Sequence, residues 1–240
     1  MARSTEDLIV YGVHPVEEFL IRQAHRAKEL VVRQGSINGL KELISLANSK
    51  NVPVRLMSNA DFGRYSGSRK FQGLFLRTSP FEYADIESIN ISGNTMLVAL
   101  DSVKDPHNLG SILRTSAFFG VDGLILPKNR SVQVTPTVLK TSAGGAYLVP
   151  VFQVTNLART LRNLKNRGLW IIGADSNTDK DVNTVDIPKP IVLVLGAEGE
   201  GLRQNIKKNC DLLVKIPSKS GFDSLNVSVA GGILIHRLRT

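Results

Sequence analysis

The segment IVLVLGAEGEGL, residues 191–202, joins the most apolar stretch of the chain to a glycine-rich loop. Five consecutive apolar residues are typical of a strand that is buried on both faces, as in a parallel sheet covered by helices. Several further strand candidates are separated by segments whose apolar residues recur with the period of a helix. Those candidates are 95–100, 123–126, 149–154, 169–174 and 212–216. The pattern predicts an α/β domain with a mostly parallel sheet, in which ligands bind where strands end in loops.

The N-terminal third has its own alternation of strand and helix signals and predicts a smaller α/β domain at 1–77. Its helices are expected after His14-Pro15 and, with Ser36 as N-cap, over the 40–47 stretch. The segment 78–94 has no clear period, ends in Ser-Gly-Asn and is predicted to be a linker. The second domain is expected over 95–240.

The composition predicts a protein that meets polyanions. Thirty Lys and Arg face 21 Asp and Glu, the formal charge is +9 and the sequence pI is about 9.8. Such a balance favours a nucleic-acid partner over an indifferent basic surface. With Cys210 as its one cysteine and four scattered histidines, the chain offers no disulfide framework, and we expect no bound metal. The N-terminal stretch has no long apolar segment, and no run approaches eighteen apolar residues, so a cytoplasmic location without membrane association is expected.

A basic and aromatic segment at 58–72 is a candidate RNA contact. It contains three cations, Arg64, Arg69 and Lys70, together with Phe62, Tyr65 and Phe71. Aromatic faces stack on bases and cations meet phosphates, so a flexible loop of this composition suits RNA. The alternative of equal weight is a solvated loop whose aromatic residues belong to the core.

Three strand-to-helix transitions in the second domain carry candidate chemistry. The first, 101–120, contains Asn108 and Arg114, with His107 as a possible RNA contact. The second, 195–202, offers glycines that let a ligand approach the backbone, and Glu198. The third, 216–232, places Ser224 and Asn226 before a helix. Taken singly, Asn108, Ser224 and Asn226 could be helix caps, Arg114 a surface cation and Glu198 a carboxylate favoured by a helix dipole. Neither a dinucleotide-binding nor a Walker A pattern occurs.

Taken together, the three loops resemble the SpoU family of RNA ribose 2′-O-methyltransferases. The matching stretches are DPHNLGSILRTSAFFG at 105–120, LVLGAEGEGL at 193–202 and SLNVSVA at 224–230. The N-terminal domain, which opens with YGVHPVEEFL at 11–20, resembles the ribosomal-protein-L30-like substrate-binding domain of members that modify guanosine in 23S ribosomal RNA. The second domain also contains VTNLARTLRNL at 154–164, which strengthens the likeness to those members.

The resemblance implies a C-terminal domain threaded into a trefoil knot, S-adenosylmethionine as cofactor, and a homodimer. Arg114 would act on the ribose hydroxyl as the family's proposed base, or stabilise the developing alkoxide. Asn108, Glu198, Asn226 and Ser224 would shape the same pocket. The implied cofactor contacts are Leu195, Gly196, Ala197, Gly201, Ile216 and Leu225, with Ser142 and Gly144 near the methionine end.

The sequence departs from the family pattern at one loop, and three alternative functions remain open. Gly221 lies one position later than the family's usual glycine, and Lys219 adds a cation there. A transfer-RNA ribose is the alternative substrate. A non-catalytic RNA-binding ribosome-assembly factor is the alternative from another class, and a nucleotide-dependent α/β enzyme is a third.

Overall fold

The computed structural model describes residues 7–66, 71–220 and 224–239. These residues form two compact units. The first contains the chain up to Glu82 together with Val134–Tyr147, and the second contains Tyr83–Gln133 and the chain from Leu148 onwards. The first unit is therefore built from two separate stretches of sequence.

Strands and helices alternate through both units. The strands are β1 (Leu8–Tyr11), β2 (Ala27–Arg33), β3 (Val54–Met57), β4 (Leu74–Thr78), β5 (Met96–Leu100), β6 (Gly123–Pro127), β7 (Val151–Val154), β8 (Trp170–Ala174), β9 (Ile191–Leu195) and β10 (Leu212–Val214). The helices are α1 (Val13–Gln23), α2 (Lys41–Ser49), α3 (Asn59–Ser66), α4 (Pro106–Phe118), α5 (Pro136–Thr141), α6 (Leu157–Asn166), α7 (Gln204–Lys207) and α8 (Val227–Arg239).

The first unit is built on a four-stranded mixed sheet in the order β1-β4-β2-β3, in which only β2 and β3 pair in parallel. An aromatic cluster on this sheet joins Tyr11, Phe62, Phe71 and Phe75. The later stretch packs here too, because α5 contacts β1 and the Tyr147 ring meets Phe19 edge-on at 5.2 Å.

Two details of the first unit correct the sequence-based expectations. Residues 34–40 form a 3-10 turn before α2, so Ser36 is not a helix cap; its hydroxyl accepts from Arg33 Nε at 3.0 Å. The segment expected to be a flexible loop contains α3. Helix formation there buries Phe62 and leaves Tyr65 half exposed. The two residues are three positions apart and therefore share one face of α3, from which both rings contact Phe71 and Phe75.

The second unit contains a six-stranded sheet in the order β10-β8-β9-β5-β6-β7, with every pair parallel. Every residue of the central strands β5 and β9 is buried, which confirms the parallel α/β sheet predicted from their apolar runs. The α6 and α7 helices pack with Val192 and Val194 in one core cluster. On the other face, α8 approaches Leu195 and α4 through Gly231.

The segment 83–94, predicted to belong to a linker, packs on the second unit. Ala84 pairs with Phe152 in an isolated bridge, and Ile86, Ile89 and Ile91 lie against the core cluster. In α6, the N-cap is Asn156, because its side chain accepts from Arg159 N at 3.0 Å. None of the helices in the described ranges is long and apolar enough to cross a membrane.

Candidate active site

The three sequence motifs meet at one edge of the second sheet. Because all six strands are parallel, the loops after β5, β9 and β10 leave from the same carboxyl edge. The β5 and β9 strands are direct neighbours, and Asp101 N donates to Leu195 O at 2.8 Å just where both strands end. The arrangement brings residues that are distant in sequence to a single place.

Asn226 connects the three loops. Its Nδ2 donates to Asn108 Oδ1 at 3.0 Å and lies 3.3 Å from Glu198 Oε1. Its Oδ1 accepts from Ser228 N at 2.9 Å and from Ser228 Oγ at 2.6 Å. The side chain therefore caps α8 and also bridges the loops, so the capping role and the site role predicted for Asn226 are compatible.

Asn108 is held by the start of α4. Asp105 is the N-cap, because its side chain accepts from His107 N at 2.8 Å, and Pro106 opens the helix. Asn108 thus lies within the first turn rather than before it, and only 7% of it is exposed. The helix fixes its amide in front of Asn226.

Arg114 lies on a different side of α4 from Asn108, as expected for residues six positions apart in a helix. It is exposed, and within the described residues it makes no hydrogen bond or ion pair. Glu198 and Ser224 are also exposed beside the loops that carry them. Asn108, Glu198 and Asn226 therefore form a connected group, whereas Arg114 is free to meet a ligand.

The loop after β9 is a tight backbone turn. Ala197 and Gly201 exchange two backbone hydrogen bonds of 3.2 and 2.9 Å. A Cβ atom at Gly196 would lie 2.2 Å from the carbonyl carbon of Gly201, far inside van der Waals contact. Gly199 and Gly201 adopt positive φ, which costs glycine little. The glycines therefore set the path of the loop that carries Glu198.

An ion pair that the sequence analysis missed anchors this loop. Asp101, at the end of β5, is fully buried, and its oxygens accept from Arg203 N at 2.9 Å and Arg203 Nε at 2.7 Å. Arg203 Nη2 also lies 2.5 Å from Asp101. The pair ties the end of the glycine loop to the neighbouring strand across 102 residues of sequence.

Apolar surface adjoins the same loops. Leu195 is buried, Ile216 is partly exposed, and Leu225 is 46% exposed although it is a large apolar side chain. A half-exposed leucine beside a glycine-rich turn fits a flat, partly apolar ligand. Gly221 lies outside the described residues. No cluster of three or more His, Cys, Asp and Glu that could hold a metal occurs in the described ranges.

Two of the predicted cofactor contacts, Ser142 and Gly144, belong to the first unit. Ser142 is buried and its hydroxyl donates to Leu139 O at 3.0 Å. Gly144 has φ +90°, and a Cβ there would lie 2.7 Å from the Glu18 side chain. Both residues have structural partners within their own unit.

The predicted RNA contacts are divided between the units. Arg64 in α3 is highly exposed and lies 3.5 Å from Asp61, and the neighbouring Tyr65 ring stacks on Phe75 at 4.5 Å. His107 is exposed at the start of α4. Arg69 and Lys70 lie outside the described residues.

Comparison with known proteins identifies the class to which this fold and site belong. Residues 95–236 match the model of the SpoU rRNA Methylase family, and residues 9–84 match the model for RNA 2′-O ribose methyltransferase substrate binding. The first match covers more than half of the chain. The protein therefore belongs to the SpoU family of RNA methyltransferases.

Individual relatives agree along nearly the whole length. A Staphylococcus saprophyticus protein named as a TrmH family tRNA/rRNA methyltransferase is 36% identical over 243 residues, covering 97% of this chain and 95% of its own. An AdoMet-bound rRNA methyltransferase from Sinorhizobium meliloti superposes with a TM-score of 0.82 at 24% identity, covering 98% of this chain and 87% of its own. A TrmH family RNA methyltransferase from Porphyromonas gingivalis gives 0.80 at 26% identity, covering 98% and 90%.

Proposed function

We propose that this protein transfers a methyl group from S-adenosylmethionine to the ribose 2′-hydroxyl of a guanosine in 23S ribosomal RNA. RNA 2′-O-ribose methylation follows from membership of the family. The choice of guanosine as the nucleotide and of 23S ribosomal RNA as the substrate is what we add to it. The observation that carries the assignment of the site is the hydrogen-bonded group of Asn108, Glu198 and Asn226, formed by all three family motifs.

The residues at the carboxyl edge fit the proposed cofactor. Gly199 and Gly201, in the turn after β9, are exposed, and the partly exposed Ile216 and Leu225 would offer apolar contact for an adenine ring. The Sinorhizobium meliloti relative has AdoMet bound in the same fold. When bound, this cofactor supplies an electrophilic methyl group on a sulfonium. Ser142 and Gly144 remain proposed contacts for its methionine end.

The side chains of the site would position and polarise the ribose. A hydroxyl attacks a methyl group only in line with the departing sulfur, so orientation accounts for much of the rate. The rigid Asn108–Asn226 pair, held by a helix cap, suits that task. Ser224, exposed two residues before Asn226, would line the same pocket.

Arg114 is assigned to the developing charge. A guanidinium stays protonated at any pH at which proteins are folded, so it is a poor general base. It is a good donor to an alkoxide or to the adjacent phosphate, in a planar two-pronged geometry. Its exposure and its lack of a partner among the described residues leave its donors available to RNA.

The choice of 23S ribosomal RNA over transfer RNA rests on the N-terminal domain. That domain matches a substrate-binding model over residues 9–84, and it carries Arg64 and Tyr65 on its surface. Together with His107, and with Arg69 and Lys70 from the same segment, these side chains are the proposed RNA contacts. A cytoplasmic location is the expectation that accompanies this substrate.

A homodimer is part of the same proposal. Phe118 at the end of α4 is 82% exposed, and Val229 and Ile233, one turn apart on α8, are 50% and 42% exposed. Neighbouring helices that both present large apolar side chains are typical of a surface covered by another subunit. Analytical ultracentrifugation of the wild type is expected to give the mass of a dimer, and Ile233→Glu is expected to shift it to a monomer. A monomeric mass for the wild type would contradict the proposed homodimer.

The test is incorporation of labelled methyl from S-adenosylmethionine into unmodified 23S rRNA and into bulk tRNA. Alkali-stable label in 23S rRNA supports the proposal. Label found only in tRNA would mean that tRNA, and not 23S rRNA, is the substrate. No label in either RNA, with no cofactor binding by calorimetry, would favour a ribosome-assembly factor. Arg114→Ala is expected to lower kcat by about 10²–10³-fold, and full activity in Arg114→Lys would remove the need for a guanidinium.

A further inference from the structure

A second pocket lies at the carboxyl edge of the same sheet, on the side of α6 and α7. It has a volume of about 220 Å³ and lies where β6 and β7 end and α6 begins. Its polar side chains include Arg130, Arg203, Asn129 and Asn205. The α4 helix, which carries Asn108, and the α8 helix, which Asn226 caps, cover the opposite face of the sheet, so this pocket is separate from the candidate active site.

The pocket is arranged to accept an anion. None of the described side chains that line it is a carboxylate. Arg203 uses Nε and Nη2 on buried Asp101, so its charge is balanced and Nη1 remains as a donor. Arg130 is exposed, and no described residue forms an ion pair with it. The backbone amides of Leu157 and Ala158, in the first turn of α6, add the positive end of that helix.

The surrounding sequence extends this positive charge. The parts of this sequence that belong to the second unit, 123–133 and 148–174, contain six Lys and Arg and no Asp or Glu. Within this stretch, Arg159 and Arg162 are exposed on α6, and Arg162 Nη1 contacts a neutral group, Asn209 Oδ1, at 3.4 Å. At a rise of ~1.5 Å per residue, both lie within about one and a half turns of the helix start. Lys165 and Arg167 differ, because they form ion pairs with Asp211 and Glu87.

We propose that this pocket holds a phosphate of the substrate RNA backbone and that Arg159 and Arg162 contact the neighbouring phosphates. The methyltransferase unit would then hold RNA by a face other than the one that carries the reacting residues. A track of uncompensated arginines beside a helix N-terminus recognises phosphate rather than base, so this surface would contribute affinity without sequence preference. The inference rests on RNA being the substrate and is independent of which RNA is methylated.

The test is filter binding of unmodified 23S rRNA and tRNA transcripts as a function of KCl concentration. Arg130→Asn removes one charge and keeps a residue that tolerates the φ of +62° found there. Arg159→Gln/Arg162→Gln removes two charges from α6. The matched controls are Lys189→Gln, just before the amino end of β9, and Lys50→Gln/Lys189→Gln, since both lysines are exposed. Unchanged thermal midpoints and cofactor affinity by calorimetry verify that each variant is folded.

Each lost phosphate contact is expected to reduce the slope of log K against log salt by about 0.7–0.9. The Kd for RNA should then rise several-fold in the pocket and α6 variants and little in the controls. Equal effects in variants and controls would overturn the proposal, because overall charge would then explain the binding. Inorganic phosphate titrated by calorimetry is the second arm: phosphate binding lost in Arg130→Asn, without any change in RNA affinity, would also overturn it. If the wild-type protein binds RNA but does not methylate it, that result contradicts the proposed reaction and not the proposed phosphate contacts.

Discussion

The Asn226 amide donates a 3.0 Å hydrogen bond to the Asn108 side chain across 118 residues of sequence. The same amide caps α8 through Ser228, so its two ends serve different purposes. One end fixes the helix, and the other joins α4 to the loop that carries Glu198. Catalysis and helix stability can therefore be separated by substitution at this single position.

Asn226→Asp is expected to lower kcat about 10²-fold or more while leaving stability nearly unchanged. Aspartate keeps the cap acceptor but loses the donor to Asn108 and places a second carboxylate beside Glu198. Asn226→Ala should lose activity and also about 1 kcal/mol of stability, because the cap is gone. Methyl transfer rates and urea unfolding of both variants make the comparison; equal stability losses would contradict the division of roles.

Gly196→Ala is expected to weaken S-adenosylmethionine binding tenfold or more. The new Cβ would collide with the backbone of Gly201 and Leu202, and neither can move as a flexible side chain could. The turn that carries Glu198 would have to open. Isothermal titration calorimetry measures the effect, with Gly39→Ala as control because a Cβ at Gly39 meets nothing within 4 Å. Unaltered affinity in Gly196→Ala would mean that the turn does not shape the cofactor site.

Arg203→Met is expected to lower the free energy of unfolding by about 3 kcal/mol, because it leaves the buried Asp101 carboxylate uncompensated. Asp101→Asn/Arg203→Met should recover part of this loss, since no unpaired charge then remains. Urea denaturation of the two variants and the wild type gives the comparison. A double variant no more stable than Arg203→Met would show that contacts other than the charge pair dominate.

The Cys210 thiol is expected to react very slowly with iodoacetamide in the folded protein. Burial, and next the neighbouring Asp211, raise the thiol pKa to about 12. Because the thiolate is the reactive form, the rate should rise with pH toward 12 and be about a thousandfold lower at pH 8 than in urea, where the pKa returns to about 8.5. Mass spectrometry of labelled protein follows the reaction; equal rates with and without urea would show an accessible thiolate.

Local patterns predicted the parts of the fold that burial determines. The IVLVL run predicted the exact bounds of β9, because five consecutive apolar residues are typical of a strand that is buried on both faces of a parallel sheet. The α3 helix was missed, because the polar residues around Phe62 and Gly63 conceal a helix that is stabilised by the aromatic cluster. The resemblance to the family placed Asn108, Glu198 and Asn226 in one pocket, whereas the local pattern of each loop, taken singly, did not bring them together.

Long-range contacts were beyond the sequence for a physical reason. Asp101 and Arg203 are ordinary residues in their local context, and only the pairing of β5 with β9 brings them together. Likewise, nothing local in 134–147 indicates that this stretch packs with β1 rather than with its flanking segments. The local sequence shows which residues a loop contains, whereas the residues that the loop contacts depend on the order of the strands in the sheet.

The interruption of the first unit has a consequence for synthesis. A chain emerging from the N-terminus completes the four strands of the first sheet at Thr78, yet α5 and Tyr147 follow only after β5, α4 and β6 have been made. Domains of growing chains fold in order of emergence. Here the N-terminal unit must await part of its neighbour, so the two folding events are interleaved in time rather than successive.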